Sequence, residues 1–318
     1  MSVYPLLLTF FLLLFSCFFS AFCILSDKYY ICKVTSSRHT VTSVFSGDLM
    51  KKTAVVFDSA GTLVEMYRVA LDMSTGTFIP DSDNLRIVSE IQRAGLVVLD
   101  TPSENVLRQD PECLISDYLE KEHVHLGIVY SNEFLNPESI SLTLKKSKIP
   151  IGKLQYILRK AGNYYDDPVY SVSGFIADIE KETVPFLMST GGALFPNARD
   201  VVENIRETGA DIYIASGDDK TNVLRVGRRL NIPDDRVYSL CRAENKKQLI
   251  SGFQNEYDLV IMVGDGINDL AALRQADIGI LISRKNYYTP DSLKNAADVI
   301  ITDLGDCCSI IRRHMGAD

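Results

Sequence analysis

The chain has 318 residues, 46% of them apolar and 23% charged, which excludes a disordered polymer and leaves apolar surface for one large domain or two smaller ones. A formal charge of −8 and a pI near 5.1 argue against a basic face of the kind that holds nucleic-acid phosphates. The seven cysteines include no C-x-x-C pair, so neither a disulfide scaffold nor a thiolate metal site is indicated and a reducing, intracellular setting is expected. His123 and His125 form an H-x-H without carboxylate or Cys partners nearby in sequence and read as surface residues.

In chain order, the first element is the uncharged apolar run Val3–Leu25. At about 1.5 Å per residue a helix of that length can cross a bilayer. Lys28, Lys33, Arg38, Lys51 and Lys52 follow it, and basic residues on that side would keep the rest of the chain cytoplasmic. The competing expectation is that residues 1–49 derive from an upstream start codon and that Met50 opens the working protein. On that reading 27–49 shows no helix or strand periodicity, and the protein is again cytoplasmic, with membrane contact only if 3–25 is retained as an anchor.

Thr53–Phe57 (TAVVF) then reads as a short buried strand. Further apolar runs follow at Asp211–Ala215, Leu259–Val263, Ile278–Ile282 and Val299–Thr302, with Arg236–Leu240 weaker. Helical patterns alternate with them at Ala198–Glu207, Lys220–Leu230, Glu244–Gln254 and Ile267–Ala276. This alternation predicts an α/β fold: a doubly wound, Rossmann-like parallel sheet with helices on both faces. Residues 76–175 carry their own pattern, with a helix at Asn84–Ala94, strands at Leu96–Leu99 and His125–Tyr130, and a helix at Gly152–Ala161. They are expected to form an inserted α+β cap, dividing the core into 50–75 and 176–318. The loop Gly162–Asp167 is a candidate substrate contact, whereas Lys145, Lys146 and Lys148 read as a solvated face.

Chemistry in such sheets collects at the carboxyl ends of strands, and polar residues stand there. The first strand runs into Asp58, the second into Ser216-Gly217-Asp218, and the fourth into Gly264-Asp265-Gly266 with Asn268-Asp269 close behind. The pair Lys246-Lys247 lies in the helix before that fourth strand. Carboxylates can hold Mg²⁺, the ion and a lysine can neutralise phosphate oxygens, and a remaining carboxylate can attack phosphorus. Asp265 and Asp269 are four residues apart at a strand-to-helix junction, so both can face one ion. Gly61, Gly217 and Gly266 permit close backbone approach, and Thr62 offers a hydroxyl.

These motifs together resemble the haloacid dehalogenase superfamily of Mg²⁺-dependent phosphotransferases. Within it they are most similar to the phosphorylation domain of P-type ATPases and their soluble phosphatase-like relatives. D-K-T-G-T-L of the ATPases matches Asp58–Leu63 (DSAGTL) at Asp, Gly, Thr and Leu; T-G-D matches Ser216-Gly217-Asp218; and G-D-G-x-N-D-x-x-A-L matches Gly264–Leu273. The pattern K-x-x-x-(Val/Ile)-x-x-(apolar)-Gln fits Lys246 with Ile250, Phe253 and Gln254, and not Lys247. The resemblance covers roughly 50–75 and 180–318. It implies that Asp58 is the phosphorylated nucleophile and that Ser216 and Lys246 bind phosphate beside Gly217, Gly61 and Thr62. It further implies that Asp58, Asp265, Asp269 and the backbone carbonyl of Ala60 surround Mg²⁺, supported by Asn268 and Asp218.

Two features depart from the family pattern. Phosphatases of the superfamily carry a second Asp two places after the nucleophile, where this chain has Ala60; a methyl group transfers no proton, so the acid–base contribution of ~10²–10⁴ must be supplied elsewhere or dispensed with. Phosphonoacetaldehyde hydrolase also has Ala there and uses a cap lysine, which makes C–P bond cleavage the enzymatic alternative. A phosphate-binding or regulatory module with little turnover is the non-enzymatic one. One apolar segment cannot build an ion pathway, so an intact transport ATPase is excluded. The expected partner is a small phosphorylated substrate.

Overall fold

The computed structural model describes residues 51–284 and 289–316, together with the backbone of three strands between 20 and 45. Those strands, β1 (Ser20–Ser26), β2 (Tyr29–Thr35) and β3 (Thr40–Phe45), form an antiparallel sheet of their own in the order β1-β2-β3, with Cys23 opposite Cys32 and Ile31 opposite Val44. Of the expected apolar span, residues 3–19 lie outside the described residues, and Ser20–Leu25 is strand rather than helix. The expectation that 27–49 lacks strand pattern is also corrected. Runs such as Val34-Thr35 and Thr40-Val41-Thr42 carry the β-branched residues that favour extended backbone, although Tyr29-Tyr30-Ile31-Cys32 breaks the strict alternation that would have revealed them. Among the described residues no helix is long and apolar enough to cross a membrane.

Lys52–Met315 forms a separate compact unit. Its first strand, β4 (Thr53–Phe57), is buried at all five positions, as an apolar run covered on both faces of a parallel sheet must be. The chain then builds a six-stranded antiparallel sheet from β5 (Val64–Asp72), β6 (Phe78–Ile79), β7 (Ala94–Asp100), β8 (His125–Ser131), β9 (Tyr170–Asp178) and β10 (Thr183–Leu194), in the order β6-β5-β10-β9-β7-β8. This sheet takes in strands on either side of the 76–175 segment. Residues alternate across it with period two. Tyr67, Val69, Leu71, Val97 and Phe175 pack against Leu154, Ile157 and Leu158 of the helix Ile151–Gly162, while Met66, Arg68, Val98 and Val172 line a cavity on the other face. The helix expected to reach Ala94 stops at Ser89, because Ala94 already begins β7.

The chain next returns to the parallel sheet through β11 (Asp211–Ala215), β12 (Val237–Tyr238), β13 (Leu259–Gly264), β14 (Ile278–Ile282) and β15 (Val299–Ile301). The observed order is β12-β11-β4-β13-β14-β15, all parallel. Helices Ala198–Arg206, Lys220–Arg229, Ala243–Phe253, Leu270–Gln275 and Cys307–Met315 connect or cover it. Strand order reverses at β4, whose neighbours β11 and β13 both come from far downstream. The register sets Phe57 opposite Ile214 and Val263, so Asp58, Ser216 and Asp265 emerge close together at one carboxyl edge. A switch point of this kind opens a crevice. Cys113, Cys241, Cys307 and Cys308 are free thiols.

Candidate active site

Asp58 directly follows β4, and its amide donates to the Val263 carbonyl at 2.9 Å, tying the first loop to β13. The side chain is 7% exposed. Facing it is Lys246, 2% exposed, whose ammonium donates to Asp58 Oδ1 and, at 2.6 Å, to Asp269 Oδ1. Lys246 shares a helical face with Ile250 and Phe253, both buried, at i+4 and i+7. That face turns it inward, while Lys247 stays half-buried. Of the two lysines, only Lys246 joins the carboxylates.

Asp265 and Asp269 leave β13 in a tight 3-10 turn over Ile267–Asp269. Asp269 Oδ2 accepts from the amides of Asp265 at 3.2 Å and Gly266 at 3.1 Å, so this carboxylate fixes its own turn with one oxygen and holds Lys246 with the other. Thr62 Oγ1 donates to Asp265 Oδ1 at 3.3 Å, joining the first loop to the third. Two glycines are required sterically. Gly61 has φ +89° and any Cβ there would strike the Asp265 carboxylate, while a Cβ on Gly264 would lie 2.6 Å from Asp269 Oδ2.

Oxygens of Asp58, Asp265 and Asp269 lie within 4.8 Å of one another. Burial, then the charge of Asp269, holds the Asp58 carboxyl well above its ordinary range against the pull of Lys246. Burial and Asp269 likewise push Asp265 up to about 6, opposed by Arg284, the Thr62 hydrogen bond and Lys246. For Lys246, burial favours the neutral amine, but Asp58 and Asp269 outweigh it and raise its pKa. Three carboxylates against the Lys246 ammonium and the Arg284 charge that acts on Asp265 leave one negative charge uncompensated in a largely buried space, which is costly without a further cation. Hard oxygen donors at this spacing fit Mg²⁺.

The other expected site residues are placed less directly. Ser216 is buried, but its hydroxyl donates to Asp218 Oδ2 at 2.9 Å and accepts from the Asp218 amide at 3.2 Å, so it closes a turn rather than meeting the carboxylates. Gly217, Asp218, Ala60 and Asn268 line the cavity, of about 1,110 Å³, between this edge and the antiparallel sheet. Asn268 is exposed at its rim. His125, read as a surface residue, is exposed on β8 and lines the same cavity. The Gly162–Asp167 loop does not reach it: Tyr164 stacks on Tyr67 at 3.7 Å and Tyr165 packs on the core of the opposite face. Lys145 and Lys146 pair with Glu120 and Glu182 at the surface.

Two residues near the site had no motif to announce them. Tyr170, the first residue of β9, donates its hydroxyl to Asp218 Oδ1 at 3.0 Å, and burial and that carboxylate hold its pKa well above normal. Arg284 stands two places after β14, a position the rule of polar residues at strand ends could have flagged. Its guanidinium donates to the carbonyls of Gly61 and Thr62.

The sequence model of the haloacid dehalogenase-like hydrolases matches residues 52–277. The chain is 31% identical over 268 residues to the soluble P-type ATPase-like phosphatase of Methanocaldococcus jannaschii, covering 84% of this chain and 96% of that one. It is 35% identical over 97 residues to the probable copper-transporting ATPase SynA of Synechococcus elongatus, where the match covers 30% of this chain and only 12% of the transporter. Among solved structures, the catalytic CPx-ATPase domain CopB-B superposes with a TM-score of 0.41 at 20% identity, over 82% of this chain and 88% of that one.

Proposed function

The chain belongs to the haloacid dehalogenase-like hydrolase family, and from that premise we propose that it is a Mg²⁺-dependent phosphohydrolase that works through an aspartyl phosphate on Asp58. The observation that carries this reading is the bridging of Asp58 and Asp269 by the buried Lys246, with Asp265 in the same cluster. Asp58 and Asp265, with Asp269 behind them and the Ala60 carbonyl beside them, would hold the ion, which neutralises charge on the transferring phosphate.

Lys246 keeps one Asp58 oxygen fixed and offsets part of the cost of ionising this buried carboxylate, so that the other oxygen can attack phosphorus. The P–O bond to the leaving group breaks as the Asp58–phosphorus bond forms. Water then attacks that phosphorus, releasing inorganic phosphate and restoring the carboxylate; in sum one ester and one water give one alcohol and one phosphate. Ser216, Gly217, Gly61 and Thr62 surround the phosphate, and Ser216 reaches it by exchanging its Asp218 bond. With Ala60 in place of an acid, leaving groups of low basicity suit the site best.

The cavity accepts the leaving group, since its volume slightly exceeds the roughly 300–1,000 Å³ of small-molecule sites. Of its two guanidinium groups, Arg225 is committed to Glu104 at 2.8 Å, and Arg68 has no ion pair among the described residues, so it is offered to a second anionic group. The phosphonate alternative needs an amine above the site, and no lysine lines the cavity among the described residues.

The test is turnover and acetyl phosphate labelling of the wild type and Asp58→Asn in Mg²⁺. Both are expected to vanish in the variant; turnover that persists would overturn the reading.

A further inference from the structure

Arg284 lies behind the carboxylate cluster and outside every motif described above. One guanidinium nitrogen donates to the Gly61 carbonyl and another to the Thr62 carbonyl at 3.3 Å. The guanidinium carbon lies over the Phe195 ring, 3.8 Å from its centre, in the range of a cation–π contact. Phe195 is itself anchored, its amide donating to the Leu63 carbonyl at 3.0 Å. Both carbonyls and Leu63 belong to the Asp58–Leu63 loop, whose Thr62 hydroxyl holds Asp265. Arg284 therefore grips the backbone that carries Asp58 and stands close enough to Asp265 for its charge to act on that carboxylate.

We propose that Arg284 is a positioning residue with two separable effects. Its planar fork, clamped on Phe195, fixes the Asp58–Leu63 loop, and its positive charge sets how strongly the three carboxylates attract a divalent cation. Only arginine supplies both, because a lysine ammonium cannot donate along two fixed directions while lying flat on a ring. Counting Asp58, Asp265 and Asp269 against Lys246 and Arg284 leaves one negative charge; without Arg284 two remain, and a cation is drawn in more strongly.

The experiment compares wild type, Arg284→Met and Arg284→Lys in the full chain by direct Mg²⁺ calorimetry, amide hydrogen exchange over residues 59–64, and turnover. Arg284→Met should bind Mg²⁺ at least about threefold more tightly, exchange the loop amides faster, and lose kcat on the order of 10²-fold from a misplaced nucleophile. Arg284→Lys should return Mg²⁺ affinity to the wild-type value while exchange stays fast and kcat stays low. Weaker or unchanged Mg²⁺ binding in Arg284→Met overturns the charge effect, and unchanged exchange overturns the clamp. Should Arg284→Met fail to fold, Phe195→Leu serves: it should speed loop exchange and lower kcat with Mg²⁺ affinity unchanged, and unaltered exchange there defeats the clamp. The binding arm rests on the metal reading of the site and the exchange arm does not. A wild type that neither binds Mg²⁺ nor turns over would fail the proposed function while the exchange comparison still judges Arg284.

Discussion

The parallel and antiparallel sheets of this unit are both six-stranded, yet they distribute side chains in opposite ways. In the parallel sheet β4, β13 and β14 are buried throughout, so polar chemistry is expelled to the strand ends, where Asp58, Asp265 and Arg284 stand. In the antiparallel sheet one face packs on the larger core, and the other, covered in part where Val88 of the helix Asn84–Ser89 packs with Leu96, Ile176 and Met188, offers Met66, Arg68 and Val98 to the cavity from mid-strand. One sheet concentrates reactive groups on an edge, and the other spreads contact groups over a surface. On the proposed function, bond breaking falls to the first and choice of leaving group to the second, and substitutions in each should separate accordingly.

The largest expected effect is a gain. Ala60→Asp places a carboxyl group at the cavity wall beside Asp58, and turnover of simple alkyl phosphates should rise by ~10²-fold, measured as phosphate release, with far less gain for aryl phosphates. Equal gain on both would show that leaving-group protonation is not what Ala60 withholds. Next is Lys246→Met, which leaves buried carboxylates without their ammonium. Removal of one partner from a buried pair costs ~3–5 kcal/mol, so urea unfolding in EDTA should show a loss of that order, partly recovered by Mg²⁺.

How much could be read beforehand follows from the same contrast. Asp58, Lys246, Asp265 and Asp269 were legible because a continuous apolar run fixes where a parallel strand ends, and helical spacing with Ile250 and Phe253 picks Lys246 over Lys247. By residue pattern alone the antiparallel sheet was legible only at β7 and β8. β5 and β10 pair through residues more than a hundred positions apart, and no local pattern announces such a partner. The Ser216 hydroxyl also escaped, because its choice of Asp218 over the carboxylate cluster is decided by a two-residue turn. Tyr170 and Arg284 act through long-range contacts, one hydrogen bond to Asp218 for the first and a pair to the Gly61 and Thr62 carbonyls for the second, that leave no periodic trace.

A smaller effect concerns pH. Asp265 titrates near 6 in the folded protein against an ordinary value of 3.8, so between those values the folded state holds a proton that the unfolded state has released. The contribution of this group to stability therefore falls as pH rises from about 4 to about 6, and stays low above. Melting temperatures in EDTA across that window should show the slope, and Asp265→Asn should flatten it. Mg²⁺ should offset the loss above pH 6, since it favours the ionised carboxylates. An identical slope in the variant would remove Asp265 as its source.

The smallest effect belongs to the antiparallel face. Arg68→Ala should raise KM roughly tenfold, about 1.4 kcal/mol, for phosphate esters bearing a second carboxylate or phosphate, leaving kcat and esters without one nearly unchanged. A fall in kcat for every ester would place Arg68 with the reactive edge and blur the division between the sheets.

The central claim is a phosphoryl group carried by Asp58. Borohydride reduction of the protein during turnover of acetyl phosphate, followed by peptide mass spectrometry, reads this directly. The account predicts homoserine at position 58 and at no other Asp, dependent on Mg²⁺. Steady phosphate release with Asp58 recovered intact, or reduction at a different residue, would contradict it.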